Sequence, residues 1–347
     1  MLMPGMHARP HPRPLAVALT LVFSFIAAPA ALAQSTYRLD ESGEWIETPA
    51  PAESPDAATM TETRRLIAEG RAGLAYDIVH DWIERHDDRV LPESATAYRL
   101  RADALVALGK EFKALYDYER VARGFPHSEE FPIAVEREFD IAMRYLEGLR
   151  VKILGLRIED ARDIGIELLL RTHERMPGSE LGERAAIAVA DHYYETREMR
   201  WAVDAYDAYL ASYPQGPNRE KALKRRVIGN LARYRGAQYD ATSLLDARRQ
   251  ISQLQRELPL EAERLELDER MVKMIDAALA AQTLEAARWR LKRNEPHAAR
   301  FLLMRLVEQR PGTDAADEAG RVLLERGWAE PSVIESIAPA TNESSNG

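Results

Sequence analysis

Six prolines punctuate this chain: Pro92, Pro126, Pro177, Pro214, Pro259 and Pro311. Each follows an apolar stretch with helical spacing. The stretch "DAYLASYPQGP" (Asp207–Pro217) shows the type. Tyr206, Tyr209 and Leu210 fall three and four residues apart, which places them on one face of a helix. Proline brings no N–H and crowds the turn before it, so each helix has to stop there. The gaps between the prolines are 34, 51, 37, 45 and 52 residues.

A register precedes the prolines. Twelve residues before them stand His80, Ala114, Gly165, Ala202, Ala247 and Ala299, five of six Ala or Gly. Eight residues before stand Glu84, Tyr118, Leu169, Tyr206, Ile251 and Leu303, five of six large and apolar or aromatic. Twenty-four residues before stand Ala68, Ala102, Ile153, Ala190, Arg235 and Ala287. Three units match at every mark: Ala102/Ala114/Tyr118, Ala190/Ala202/Tyr206 and Ala287/Ala299/Leu303. Two antiparallel helices approach closely only where small side chains meet. Alanines twelve apart, one on each helix, provide that meeting point. The large residue four positions on lies on the same face and fills the space beside it. A period near 34 residues with this pattern resembles the tetratricopeptide repeat (TPR). The resemblance implies an all-α, right-handed α-solenoid of antiparallel helix pairs.

The longer gaps mark departures from the repeat. Residues 150–163 ("RVKILGLRIEDARD") read as an insert, a looped excursion interrupted by Gly155. The segment "YRGAQYDATSLLDA" (Tyr234–Ala247) should turn at Gly236. Leu260–Asn294 reads as one long helix of ~50 Å, or as two helices broken near Gln282-Thr283. Thr313 is the expected N-cap of a closing helix over Ala315–Glu325.

The ends of the chain read differently. Met1–Arg13 holds Arg9 and Arg13 and no acid, "LAVALTLVFSFIAA" (Leu15–Ala28) is apolar, and Ala31-Leu32-Ala33 follows. That order predicts a secretory signal over residues 1–33, cleaved after Ala33. Taking Arg9 and Arg13 from 47 basic residues against 56 acidic ones leaves a net charge of about −11 on ordinary side-chain pKa values. An acidic chain argues against nucleic acid as a partner. Residues 34–60 are rich in Pro, Ala and acids, and predict a flexible segment. Within it, Tyr37, Leu39, Trp45 and Ile46 offer a short extended piece. The helical solenoid is expected over 61–330 and a disordered tail over 331–347. There is no cysteine, which excludes disulfides, thiol catalysis, thiolate metal sites and a lipid-modified cysteine after the signal.

Within the repeat class, the closest likeness is to the BamD family of outer-membrane assembly lipoproteins. It is carried by "ARGFPHSEE" (Ala122–Glu130), "HERMPGSEL" (His173–Leu181), "LASYPQGPN" (Leu210–Asn218) and "EQRPGTDAADEA" (Glu308–Ala319). It spans about residues 61–326. The resemblance implies a periplasmic scaffold, part of which receives unfolded outer-membrane protein segments while another part docks assembly subunits. The missing lipidated cysteine and the insert at 150–163 depart from the family pattern. Coordinators of the Tol–Pal system carry similar repeats and are the alternative reading; a periplasmic envelope-processing enzyme is a more distant one.

Motifs of chemistry are missing. There is no Gly-x-Gly-x-x-Gly, no Gly-x4-Gly-Lys-Ser/Thr and no His-Glu-x-x-His, so no cofactor, metal or catalytic residue is expected. His80-Asp81, His86-Asp87-Asp88 and Asp191-His192 read as hydrogen-bonded pairs at helix ends rather than as metal ligands or a relay. Two features mark candidate binding surfaces. Tyr193, Tyr194, Tyr206, Tyr209 and Tyr213 crowd one repeat, and the first four are the candidate protein-binding groove, with Tyr194 foremost. The run "REKALKRR" gives Arg219, Lys221, Lys224, Arg225 and Arg226 as a candidate docking patch for an acidic partner or a membrane head-group layer. The expected activity is non-catalytic binding of protein segments in the periplasm, peripheral to the outer membrane.

Overall fold

In a computed structural model of the protein, five of the six prolines stand two residues past the end of a helix, and Pro92 stands six residues past one that ends at His86. The structure describes residues 36–39, 44–48, 54–86, 89–153 and 156–332. The expected signal peptide, with its cleavage point, lies outside the described residues. So do Asp87, Asp88 and most of the expected tail. Two units are distinguished, up to Ser54 and from Pro55 on. In the first, strand β1 (Thr36–Leu39) pairs antiparallel with β2 (Trp45–Thr48), Leu39 opposite Trp45.

The second unit holds fourteen helices among the described residues. They are α1 (Pro55–Ala68), α2 (Ala72–His86), α3 (Ser94–Ala107), α4 (Glu111–Gly124), α5 (Glu130–Leu146), α6 (Arg162–Arg175), α7 (Glu180–Glu195), α8 (Met199–Ser212), α9 (Arg219–Ala232), α10 (Thr242–Glu257), α11 (Pro259–Arg264), α12 (Glu269–Lys292), α13 (Pro296–Gln309) and α14 (Asp314–Glu325). Consecutive helices pack as antiparallel neighbours, except that α12 packs on α10 rather than on the short α11, and the first helix of each pair also touches the first helix of the next: α1 on α3, α3 on α5, α5 on α7, α7 on α9. This is an all-α, TPR-like solenoid. The helical part begins at Pro55, six residues ahead of the expected boundary. Proline is at home in a helix's first turn, and Met60, Thr63 and Leu66 bury the helix it opens.

The prolines act through the residue before them. Phe125, Met176, Tyr213, Leu258 and Arg310 precede five of the six, at φ of −127° to −140° and ψ of 51° to 67°. Proline's ring disfavours the α conformation at the preceding residue, so these five helices leave their pairs through the same backbone conformation. The first helices end instead on left-handed residues. Gly109 (φ 66°), Arg197 (φ 63°) and Asn294 (φ 58°) each follow one, and the next N–H reaches back to the last turn, as Lys110 N to Leu105 O at 2.8 Å.

All six register alanines are completely buried: Ala102, Ala114, Ala190, Ala202, Ala287 and Ala299. They sit on the paired helices α3–α4, α7–α8 and α12–α13, with Tyr118, Tyr206 and Leu303 buried beside them. In α5–α6 the crossing uses Gly165, where an added Cβ would stand 2.9 Å from the Ala142 carbonyl oxygen. Ala142 takes the place expected of Ile153. The reason is the insert: Val151–Ile153 and Leu156–Glu159 form an antiparallel hairpin, β3–β4, between the two helices. It lengthens the connection and leaves the crossing intact.

The third irregular gap resolves into two helices. Pro259 starts the six-residue α11, the chain turns at Glu266 (φ 60°), and Asp268 caps α12 by accepting the Met271 N–H at 3.1 Å. α12 then runs 24 residues straight through Gln282-Thr283. The break therefore precedes α12 rather than dividing it. Thr313 caps α14, accepting from Ala316 N at 3.2 Å.

Ala202 touches its partner helix with no room for a larger side chain. Ala202→Leu is expected to lower stability by about 1–3 kcal/mol through overpacking, read from urea denaturation; an unchanged midpoint would place the crossing elsewhere.

Candidate functional site

Between the pairs, the helices are joined by buried charge. Asp103 on α3 accepts the Tyr118 hydroxyl of α4 at 2.6 Å, is paired with Arg99, and stands 3.8 Å from Arg137 of α5. Asp191 on α7 accepts the Tyr206 hydroxyl of α8 at 2.7 Å and Arg225 of α9 at 2.8 Å. The two trios have the same spacing: Tyr follows Asp by 15 residues, and Arg follows by 34. Each ties three successive helices. Burial, then the nearby aspartate, pushes both phenols well above the usual tyrosine range. They remain donors at every physiological pH.

Along the row of first helices a cavity of about 640 Å³ opens. Ile67 of α1, Val106 and Ala107 of α3, and Ile141 and Met143 of α5 form its apolar part. Asp103, Arg137, Asp140, Arg144 and Arg184 supply charge of both signs. The charges are held in place: Arg137 lies 3.6 Å from Asp140, Arg144 bonds Glu111 at 3.0 Å, and Arg184 covers the Phe139 ring at 4.7 Å. Apolar surface with alternating fixed charges suits an extended polypeptide. Among the described residues no group of three or more His, Cys, Asp or Glu is close enough to hold a metal.

The residues singled out in the sequence lie elsewhere. Tyr206 and Tyr209 are buried and present no surface to a ligand; this corrects their placement in a groove. Their hydroxyls are committed inside, Tyr206 to Asp191 and Tyr209 to Glu183 at 2.5 Å. Tyr193 and Tyr194 are half-buried. Tyr194 stacks edge-on against Tyr206 at 6.2 Å, with Arg225 over its ring at 4.8 Å. The basic run also turns inward. Arg219 pairs with Glu261, Lys221 and Arg225 with Asp191, Lys224 with Glu266, and Arg226 with Asp207. All five charges are matched by acids of the chain, so the run is no free cationic patch: it links α9 to α7, α8 and α11. The groove on α1, α3, α5 and α7 was not anticipated. The repeated Asp-x14-Tyr-x18-Arg spacing was a readable sign of the helices that build it.

A third polar knot has a different character. Arg175 of α6 bonds Glu119 of α4 at 2.6 Å and Glu138 of α5 at 2.5 Å. Glu138 is almost completely buried. Burial outweighs the attraction of Arg175, and with Glu119 alongside it raises the Glu138 carboxyl to about 7.

Residues 162–327 match the model of the YfiO family, described as outer membrane lipoprotein. The matched span starts at the first residue of α6 and ends just beyond α14. Of the groove residues it contains Arg184. No curated protein matches the chain.

Two measurements probe these knots. Tyr206→Phe removes a hydrogen bond to a carboxylate and is expected to lower stability by about 1–2 kcal/mol, with Tyr118→Phe behaving alike. The Glu138 carboxyl takes up its proton more readily folded than unfolded. Its protonated form therefore stabilises the fold below pH 4.5, and that contribution is lost as pH rises through about 7. Urea denaturation at pH 5 and pH 8 should show Glu138→Gln losing about 1–3 kcal/mol of the wild-type fall in stability between them.

Proposed function

We propose, from the match of residues 162–327 to the model of the BamD-like YfiO family of outer membrane lipoproteins, that this chain is a non-catalytic scaffold of the cell envelope that binds extended protein segments during outer-membrane protein assembly. One observation carries the reading: the 640 Å³ groove crossing the first helices of four successive pairs. A single helix pair cannot enclose such a surface; stacking creates it. Its apolar part accepts side chains at alternate positions of an extended segment. Its fixed arginines and aspartates meet the polar remainder. The family is non-enzymatic, and the groove holds the elements of recognition without those of bond-making.

The basic run from Arg219 to Arg226 then serves as an internal brace that fixes the angle between α7 and α9. Docking of assembly subunits falls to other surfaces. Export to the periplasm follows from the basic, apolar, small-residue order of residues 1–33. No helix among the described residues is long and apolar enough to cross a membrane.

Ala107 is exposed on the groove, so Ala107→Trp fills it without entering the core. The variant is expected to weaken capture of an unfolded outer-membrane barrel segment about tenfold, measured by fluorescence anisotropy with a labelled segment, at unchanged melting temperature. Equal affinity in variant and wild type would overturn the groove as the binding site.

A further inference from the structure

The chain contains seven lysines. Three are paired with acids: Lys221 with Asp191, Lys224 with Glu266 and Lys273 with Glu269. Among the described residues, no carboxylate stands within ion-pair distance of the other four. Three of those four, Lys110, Lys113 and Lys152, line one cavity of about 400 Å³. In a protein with 56 acidic residues, three lysines without an ion-pair partner on one cavity set it apart.

The cavity is built by three segments. The α3–α4 turn supplies Leu108, Gly109 and Lys110; the first turn of α4 supplies Glu111, Phe112 and Lys113. The end of α5 supplies Tyr145, and strand β3 supplies Val151 and Lys152. Lys152 Nζ lies across the turn, 2.8 Å from where a Cβ on Gly109 would be. Lys110 Nζ stands 6.0 Å from the Tyr76 ring centre. The one carboxylate in the lining, Glu111, is answered by Arg144 at 3.0 Å and Arg157 at 2.9 Å.

Tyr145 supplies the second, independent sign of a ligand. It is 99% buried, yet its hydroxyl has no hydrogen-bond partner. A buried, unmatched hydroxyl is costly and rare. Burial, reinforced by Glu111, pushes this phenol up to about 12, so it keeps its proton and is a donor. A donor without an acceptor, on a residue that lines the same cavity as three unpaired lysines, marks a place for an anion.

The hairpin beside the cavity distinguishes the kind of anion. On β4, Arg157 turns inward to Glu111 while Leu156 and Ile158, on the opposite face, are 66% and 57% exposed. A soluble ion has no use for two exposed aliphatic side chains next to its site. A lipid does: basic residues take the head group and aliphatic ones enter the boundary with the acyl chains. We propose that Tyr145 and the lysines Lys110, Lys113 and Lys152 form a binding site for the phosphate of an anionic phospholipid, with Leu156 and Ile158 of the β3–β4 hairpin seated in the membrane surface. This contact is separate from the peptide groove and stands whether or not that groove binds polypeptide.

The full chain is tested by co-sedimentation with phosphatidylcholine vesicles, with and without added phosphatidylglycerol, and by titration with inorganic phosphate followed by NMR. Wild type is expected to sediment with the anionic vesicles only, less so at high salt. Each neutralised lysine should weaken binding roughly fivefold, so Lys113→Gln with Lys152→Gln loses about twenty-fivefold. Lys292→Gln, the unpaired lysine outside the cavity, should change nothing. Leu156→Ser with Ile158→Ser should weaken vesicle binding and leave phosphate binding intact. Tyr145→Phe should weaken both while the melting temperature holds or rises, because only an unmatched hydroxyl is removed. Failure to bind anionic vesicles overturns the site, and so does an equal loss in Lys292→Gln and the double lysine variant. Phosphate binding without vesicle binding would make it a pocket for a soluble anion instead.

Discussion

Everything in the helical unit depends on how closely two antiparallel helices approach. That distance is set by residues without bulk: Ala102 against the helix of Ala114, Ala190 against that of Ala202, Ala287 against that of Ala299, and Gly165 beneath Ala142. Helix axes can close toward the short end of the 8–10 Å range only at such points. Once they do, one large side chain per pair, Tyr118, Tyr206 or Leu303, is completely enclosed. Burying it contributes about 1.5–3 kcal/mol. The prolines then fix where the next pair begins, through the constrained residue ahead of each.

Close approach within a pair does not by itself determine the angle between pairs. In two places that is the task of an aspartate. Asp103 and Asp191 each collect a phenol from the second helix of their own pair and a guanidinium from the next pair. An arginine stays charged and offers a planar fork, which suits a fixed geometry between rigid elements. The chain uses arginine for nearly all its internal pairs. Three of its four unpaired lysines, with compact charges on flexible stems, gather around the α3–α4 turn.

The pairing of helices, the alanine crossings and the proline boundaries could be read from spacing alone, because they are local and periodic. The insert could be located but not counted through, so Ile153 was assigned a role that Ala142 fills. The tyrosines of α7 and α8 illustrate a different limit. Helical spacing puts Tyr206 and Tyr209 on one face, but only the packed neighbours α7 and α9 reveal that this face is sealed. The basic run from Arg219 to Arg226 looked free because its partners, Asp191, Asp207, Glu261 and Glu266, lie far apart in the chain. The groove and the lysine cavity were illegible for the same reason. The cavity joins residues 108–113 to 145 and 151–152, and the groove joins residue 67 to 103–107, 137–144 and 184, so neither is contained in one segment.

The long helix α12 belongs to two interiors at once. Ile275 and Leu279 are rooted in the core shared with α9 and α10, while Ala280, Leu284 and Ala287 are rooted in the core shared with α13 and α14. No joint divides these halves. A load applied to the final hairpin is therefore carried as by a beam into the core shared with α9 and α10.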